Sequence, residues 1–592
     1  MPSNGLDLTI AIGGAAGQGI ATPGNILARI LVRRGLHLYA YNAYQSIIRG
    51  GHILLMIRTR DEPVHSHGDK VDVLLALNQD SLDRHVDFLR PGARVLYDSD
   101  SVTPHGVPEG VVLCPLPVGE LSGDSKNKLG LNTIALGAIM SLVGVDFSVL
   151  EDALTQLFKR KGQAVIDENV SLARAGFDHA QSGLESITAL PQLDTPLAVW
   201  TGNQALGMGG AAAGVKFYAA YPMSPSTGVL HWMAQNAREL GIMVRQVEDE
   251  IGVANMVIGA AHTGARAMCA TSGGGFALMT EAIGAASMME IPVVYINVMR
   301  AGPSTGVPTK TEQGDLWQAL GASQGDFERF IVAPTSCLDA FNTVAELFNL
   351  CDRAQCPGIL ISDLLISEGT YSVDPGAIDM QPKIDRGALI QDPSPNGNYL
   401  RYAITDSGIS PRVVPGYEGF VHTVATDEHD EDGVLISDEY THPHKRRRMV
   451  EKRARKFSGV AADVPAPKIE GPAEADVTLV GWGSSYGVIH EAIERLAEEG
   501  VVANHLPIKW IVPFHGDEVK KILESAKKVV IVENNHSGQF ARYMRSETGF
   551  TAHAHIRKYD GEPFMPHHVV EGVQEIVKSG TEIYVPYQEM IV

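Results

Sequence analysis

Short apolar runs alternate with helix-length segments along most of this 592-residue chain, and glycine-rich or charged loops stand where the runs end. That alternation constrains the fold more than any other feature, because repeated strand–helix units close into doubly wound, parallel sheets. The densest case lies between residues 221 and 310. Tyr221-Pro222-Met223-Ser224-Pro225-Ser226-Thr227, Val247-Glu248-Asp249-Glu250-Ile251-Gly252, Thr271-Ser272-Gly273-Gly274-Gly275 and Arg300-Ala301-Gly302-Pro303-Ser304-Thr305-Gly306 each close a strand-like run or open a helix-like one. Ligands bind at the carboxyl edge of the strands in an open α/β sheet. Loops that bring a carboxylate and a guanidinium to one such edge describe a site.

The chain is too long for one hydrophobic core. The expected architecture is α/β with several doubly wound domains. Residues 1–190 read as an α/β domain with strand candidates Leu8–Ile12, Ile53–Ile57, Val73–Leu77, Arg94–Tyr97 and Val111–Cys114, and a buried helix over Lys128–Val143. The proline-bearing stretch Ala189–Pro196 reads as a linker. A second α/β domain covers 198–385, with strands at Val215–Ala220, Met243–Val247, Ala267–Thr271, Val293–Val298, Phe330–Val332 and Gly358–Ser362. Residues 386–470 lose the periodicity and read as an irregular connecting segment. A smaller α/β domain occupies 471–592.

A formal charge of -21 excludes the basic footprint of a nucleic-acid binder. No apolar run approaches the ~18–20 residues that span a bilayer, so no membrane association is expected. The five cysteines are scattered and read as buried small hydrophobes; they form neither a disulfide framework nor a cluster motif. The opening residues lack the pattern of a signal peptide, and the cytoplasm is the expected location.

Glu250 falls just after a strand, at the start of a helix running through Ile258. A first-turn carboxylate that meets the helix dipole is the plain reading. The functional one needs the carboxylate turned into a cavity, and Gly252 and Ala254 keep the following turn small. Arg300 ends a strand ahead of a Gly-Pro-Ser-Thr-Gly loop, where a guanidinium fork suits a carboxylate; a surface ion pair is its alternative. Gly13-Gly14-Ala15-Ala16-Gly17-Gln18-Gly19 is close to a dinucleotide fingerprint, but its spacing differs and an acidic ribose partner is missing, which favours a structural turn. Arg49, in Arg49-Gly50-Gly51-His52, is either a solvated loop arginine or a reach toward the substrate's distal end. The basic run Lys445–Lys456 reads as a solvated helix paired with the acidic stretch upstream. Docking of an acidic partner protein or of a ligand's phosphates is the lesser reading.

Taken together and in this order, the loops above, Asp406–Arg412, Glu428-His429-Asp430 and Glu533-Asn534-Asn535-His536-Ser537-Gly538-Gln539 resemble the 2-oxoacid:ferredoxin oxidoreductases, specifically an α subunit with a fused γ-type domain. The likeness spans nearly the whole chain. It implies a γ-type first domain, a pyrimidine-type thiamine diphosphate domain and a transketolase-C-like last domain. It places Glu250 against the aminopyrimidine ring, Arg300 and Ser224 on the oxoacid, and Tyr221, Thr305 and Arg49 around the substrate. Pro225, Thr271, Ser272 and Gly273 then lie beside the cofactor.

The family commonly has isoleucine and threonine where this chain has Met223 and Ser224, proline in place of Gly274, and Gly-x-Gly-Gly-Gln-Gly near Ala15-Ala16. Its Gly-Asp-Gly motif for Mg²⁺ is absent here, as is any Cys-x-x-Cys group, so no metal site is assigned to this chain. The resemblance therefore implies a β subunit that brings the diphosphate site, Mg²⁺ and a 4Fe–4S cluster, in an (αβ)2 assembly. Coenzyme A, ferredoxin and a 2-oxoacid, with 2-oxoglutarate favoured over pyruvate or a branched-chain or aryl oxoacid, are the implied reactants. A non-catalytic scaffold and a nicotinamide-dependent dehydrogenase are the competing readings.

Overall fold

The computed structural model describes residues 5–45, 50–123, 125, 130–394, 399–436 and 442–586, arranged around three sheets. The first region supplies β1 (Asp7–Ala15), β2 (His37–Tyr44), β3 (His52–Arg60), β4 (Val71–Ala76), β5 (Leu89–Asp98) and β6 (Val112–Leu116), and β7 (Ala198–Thr201) opens the middle one. The middle region supplies β8 (Val215–Ala220), β9 (Met243–Gln246), β10 (Arg266–Thr271), β11 (Val294–Met299), β12 (Phe330–Val332), β13 (Gly358–Asp363) and β14 (Thr370–Val373). The last supplies β15 (Val477–Trp482), β16 (Ala503–Ile508), β17 (Trp510–Val512), β18 (Val529–Glu533), β19 (Ala554–Arg557) and β20 (Ile583–Tyr584).

The first sheet runs β6-β5-β4-β1-β3-β2-β14-β7. It is mixed, which corrects the expected parallel sheet. The strands β4, β5 and β6 run parallel outward from β1, whereas β3 pairs antiparallel with both β1 and β2. The connection from β2 to β3 is too short to hold a crossover helix, so the chain has to turn back on itself. Its far edge is completed from a distance: β14 pairs with β2 and with β7.

The second sheet, β17-β12-β13-β11-β10-β8-β9, is parallel apart from β17, contributed by the last region. Every residue of β10, β11 and β13 is buried, as expected of parallel strands covered by helices on both faces. Helices Thr227–Leu240 and Cys337–Ala354 cover one face, and Glu250–His262 and Gly273–Met288 the other. The third sheet, β16-β15-β18-β19-β20, is parallel. All five cysteines are free and buried. No helix among the described residues is long and apolar enough to cross a membrane.

Residues 386–470 contain the helix Pro443–Ala461, with proline in its first turn and the His442 imidazole accepting from the Lys445 amide. Exposed Arg446 and the partly buried Arg453 and Lys445 meet the acids upstream as expected: Arg446 and Arg453 lie 2.8 Å from Glu428, and Lys445 lies 3.1 Å from Asp430. Two lysines contradict the solvated reading. Lys452 and Lys456 are fully buried, with their ammoniums 2.6 and 2.8 Å from the Glu290 carboxylate. Helical periodicity explains the reversal, because Met449, Lys452, Lys456 and Val460 form one stripe, and the apolar members carry the lysines inward.

The first and third sheets meet in a seam rich in histidine. Glu491 is buried there, 2.6 Å from the Arg58 guanidinium, and it also accepts from the His65 and Ser66 amides. His65 packs on His490 with ring centroids 4.3 Å apart, and His67 lies 5.0 Å from the Tyr41 ring. Burial pushes His65 and His67 down to about 4, and His505 and His568 down to about 3. Unfolding lets these imidazoles return to an ordinary value near 6.5. Their contribution is whole above that pH and is lost as the pH falls toward 4, at about 1.4 kcal/mol per pH unit per histidine. The thermal midpoint is expected to drop steeply between pH 6.5 and 4.5, and His67→Phe to flatten the drop; a midpoint constant over that range would contradict it.

Candidate functional site

Because β8, β9, β10 and β11 are parallel neighbours, their carboxyl ends share one edge, and the loops 221–227, 247–252, 271–275 and 300–306 meet there. Asp249 caps the helix Glu250–His262 by accepting from the Gly252 amide at 2.6 Å. The neighbour of Glu250 therefore does the capping work of the plain reading. Glu250 itself is turned inward, is 5% exposed, and has no hydrogen-bond partner among the described residues. It lies against Gly275, where an added Cβ would stand 2.8 Å from its Oε1 and would also strike the Thr271 hydroxyl.

Thr271 and Ser272 are buried at the end of β10 and the start of the next helix, and the Ser272 hydroxyl lacks a partner among the described residues. The Met223 sulfur lies 4.0 Å from the Thr271 hydroxyl, and Pro225 is buried behind it with its carbonyl accepting from Asn203. Tyr221 is half-buried against the main core, and Ser224 is exposed.

On the other side of the Gly273–Gly275 turn lies an open cavity of about 640 Å³. Arg300, Thr305, Gly273 and Met223 are in its wall, with Glu312, Asp315 and Gln539. The Arg300 guanidinium donates to the Ser224 carbonyl at 2.8 Å, which ties the first and fourth loops together. Arg300 is partly buried, and burial lowers its pKa while Asp315 acts to raise it. Ser304 (φ 58°) and Gly306 (φ 54°) turn the loop back so that Val307 donates to the Ala301 carbonyl at 2.8 Å. The structure thus groups Arg300, Thr305 and Gly273 on the cavity wall, and Glu250, Thr271, Ser272 and Pro225 in the buried layer behind it. Glu250 stands against Gly275 of that glycine turn, and Arg300 shares the cavity wall with Gly273 and Gly274. Arg49 lies outside the described residues.

Sequence reading missed the segment 311–317. Gln313 is fully buried. Its carboxamide donates to the Trp482 carbonyl at 2.8 Å and accepts from the Asn534 amide at 2.9 Å, and its own amide donates to the Asn534 carbonyl at 2.7 Å. Asn535 donates to the Gln313 carbonyl, and the Gln539 side chain brackets Gly314 and Trp317. Glu533 is buried beneath, accepting from Asn535 and from the Phe540 and Ala541 amides. The Glu-Asn-Asn stretch, to which sequence gave no chemistry, therefore clamps a loop of the middle domain. The signal lay in Thr311-Glu312-Gln313-Gly314-Asp315, a polar run directly after the Gly-Pro-Ser-Thr-Gly loop.

The glycine-rich turn after β1 is filled by its own polar groups. The Gln18 side chain accepts from the Ala15 amide at 2.6 Å and from Asn78 at 3.1 Å. Among the described residues no group of three or more His, Cys, Asp or Glu could hold a metal ion.

The geometry at Gly275 carries a direct test. Gly275→Ala puts a methyl where the Glu250 carboxylate and the Thr271 hydroxyl stand, so the carboxylate has to move. A displacement of that order costs about 10²-fold in rate when a reacting group is misplaced. Turnover of the assembled protein is expected to fall by that factor with its unfolding midpoint little changed; equal turnover would show that the carboxylate's position is immaterial.

Comparisons with known proteins bear on the same regions. Residues 209–451 match the family described as "Pyruvate flavodoxin/ferredoxin oxidoreductase, thiamine diP-bdg". Residues 9–179 match "Pyruvate ferredoxin/flavodoxin oxidoreductase", and 475–569 match "Pyruvate:ferredoxin oxidoreductase core domain II". The chain is 31% identical to the α subunit of 2-oxoacid:ferredoxin oxidoreductase 2 of Aeropyrum pernix, over 98% of this chain and 99% of that one. It is 29% identical to the 2-oxoglutarate oxidoreductase subunit KorA of Mycobacterium tuberculosis, over 91% of this chain and 87% of that one. Among solved structures, the 2-oxoglutarate:ferredoxin oxidoreductase of Magnetococcus marinus, with 2-oxoglutarate, coenzyme A and succinyl-CoA bound, superposes with a TM-score of 0.90 at 31% identity. That match covers 97% of this chain and 100% of its counterpart.

Proposed function

Because the chain belongs to the 2-oxoacid:ferredoxin oxidoreductases, as an α-type subunit with a thiamine diphosphate-binding domain, we propose that it supplies the pyrimidine half of a shared active site acting on 2-oxoglutarate. The reaction is 2-oxoglutarate, coenzyme A and oxidised ferredoxin to succinyl-CoA, CO₂ and reduced ferredoxin, in either direction, in the cytoplasm. One observation carries the reading above the others. A buried carboxylate, Glu250, stands unpartnered among the described residues, and a glycine backbone lies where any side chain would press on it. A carboxylate whose acceptor sites are free, held in place against that glycine, is complemented by a ligand donor.

Thiamine diphosphate, when bound, would supply the nucleophilic carbon and the electron sink that decarboxylation of a 2-oxoacid requires. This chain's residues hold and orient. Glu250 exchanges a proton with the pyrimidine ring, and Thr271, Ser272, Gly273 and Pro225 pack beside that ring. Arg300 takes the oxoacid's carboxylate in a forked contact, with Ser224, Tyr221 and Thr305 around it.

The same residues fit only half of the cofactor. The diphosphate, Mg²⁺ and a 4Fe–4S cluster are therefore assigned to a β subunit in an (αβ)2 assembly. The helices Glu250–His262 and Gly273–Met288 support a covering partner, since they present Ile251 (54% exposed), Met256 (40%) and Leu278 (53%) to solvent beside the site. Helices apolar all round are normally buried all round. Coenzyme A-dependent viologen reduction by the co-purified complex, across 2-oxoglutarate, pyruvate, 2-oxobutyrate and aryl oxoacids, is the test. The highest kcat/KM is expected for 2-oxoglutarate; a maximum on another acid would replace the substrate, and no turnover on any would replace the function.

A further inference from the structure

The charged side chains in the wall of the Arg300 cavity are that guanidinium and two carboxylates, Glu312 and Asp315. Glu312 accepts from the Gly302 amide at 3.3 Å, and Asp315 accepts from the Asn297 carboxamide at 3.1 Å. A side chain on Gly273 would meet the Asp315 carboxylate, which therefore stands close against the cofactor-side turn. The Gln313 clamp fixes the segment between them, so neither acid is a mobile surface group. Burial raises the pKa of both, with the Asn297 bond and Arg300 acting the other way on Asp315. Among the described residues the wall is thus short of positive charge, although every 2-oxoacid arrives as an anion and 2-oxoglutarate as a dianion.

We propose that Asp315 and Glu312 are specificity-determining residues that tune the charge around Arg300 and so select against a second carboxylate on the substrate's side chain at this wall. The inference rests on the 2-oxoacid reading of the site. It has a corollary: the distal carboxylate of a dicarboxylic substrate is held by cations from beyond this wall, and the two acids confine it to them. An ionised carboxylate beside Arg300 both competes for the guanidinium and repels a second anion, whereas a substrate with an uncharged side chain feels only the first effect.

The test uses the complex with its partner subunit, at pH 8, where the carboxylates carry charge. The readout is the ratio of kcat/KM for 2-oxoglutarate to that for 2-oxobutyrate. Asp315→Asn and Glu312→Gln keep shape and remove charge, and each is expected to raise the ratio about tenfold, the size of a charge interaction of roughly 1.4 kcal/mol. The rise should sit in KM for 2-oxoglutarate more than in kcat. Both variants retaining the wild-type ratio, or moving it toward 2-oxobutyrate, would overturn the proposal. Failure of the underlying reading looks different, since the unmutated complex would then turn over neither acid.

Discussion

Glu250→Gln in the assembled complex is expected to cut turnover by about 10²–10⁴-fold, the range that a positioned acid–base group supplies. Glutamine keeps the volume and can still meet a ring nitrogen, but its amide cannot exchange a proton there. The variant should leave assembly intact, because Asp249 rather than Glu250 caps the helix and no side-chain bond to Glu250 exists among the described residues. Coelution with the partner subunit on a sizing column, alongside dye-reduction rates, separates the two effects. Full activity in the variant would mean that this chain only scaffolds a catalytic partner. Lost activity together with lost coelution would assign Glu250 to the interface instead.

The largest effect on stability is expected at Glu290. Burial works against its charge, yet Lys456 and Lys452 outweigh that cost and hold the carboxyl well below the usual range; Arg401 adds to them. Lys452, burdened by the same burial, is pushed down to about 8. Lys456 also donates to the Gln355 carbonyl at 2.8 Å, and Arg401 donates to the Glu290 carbonyl at 2.7 Å and to Gln355 at 3.0 Å. Glu290→Ala strands two buried ammoniums and should cost about 3–5 kcal/mol. Replacing all three groups together, as Glu290→Leu with Lys452→Met and Lys456→Met, should recover most of that loss. Urea midpoints of the two variants decide it, and a single variant as stable as the parent would show that the charges are not coupled.

The two readings differ in how much of each was visible in the sequence. The second sheet was legible because its strands are continuous apolar runs, each ending in a loop with distinctive residues. Glu250 and Arg300 could be picked out because carboxylate and guanidinium sit on strand ends. Glu312 and Asp315 could not, since nothing local shows that Gln313 is anchored to Asn534, more than two hundred residues later. The buried lysines are hidden in the sequence for a related reason. A run such as Lys445-Arg446-Arg447-Arg448 signals solvent by composition, while the stripe through Met449, Lys452, Lys456 and Val460 signals a core by period, and in the folded chain the period prevails. The antiparallel β3 was hidden because sequence marks a strand without marking its direction.

The placement of β14 between β2 and β7 has a consequence for biosynthesis. The amino-terminal sheet is left with an open flank until residues 370–373 emerge from the ribosome. At about 5–20 residues per second, the interval after residue 190 lasts on the order of ten to forty seconds. During that time β2 presents unpaired backbone groups to every other nascent chain, the condition under which sheet flanks stick together. Overexpression of this polypeptide should therefore benefit from slowed translation or added holdase chaperones, and a version halted at residue 190 should aggregate where the full-length one does not.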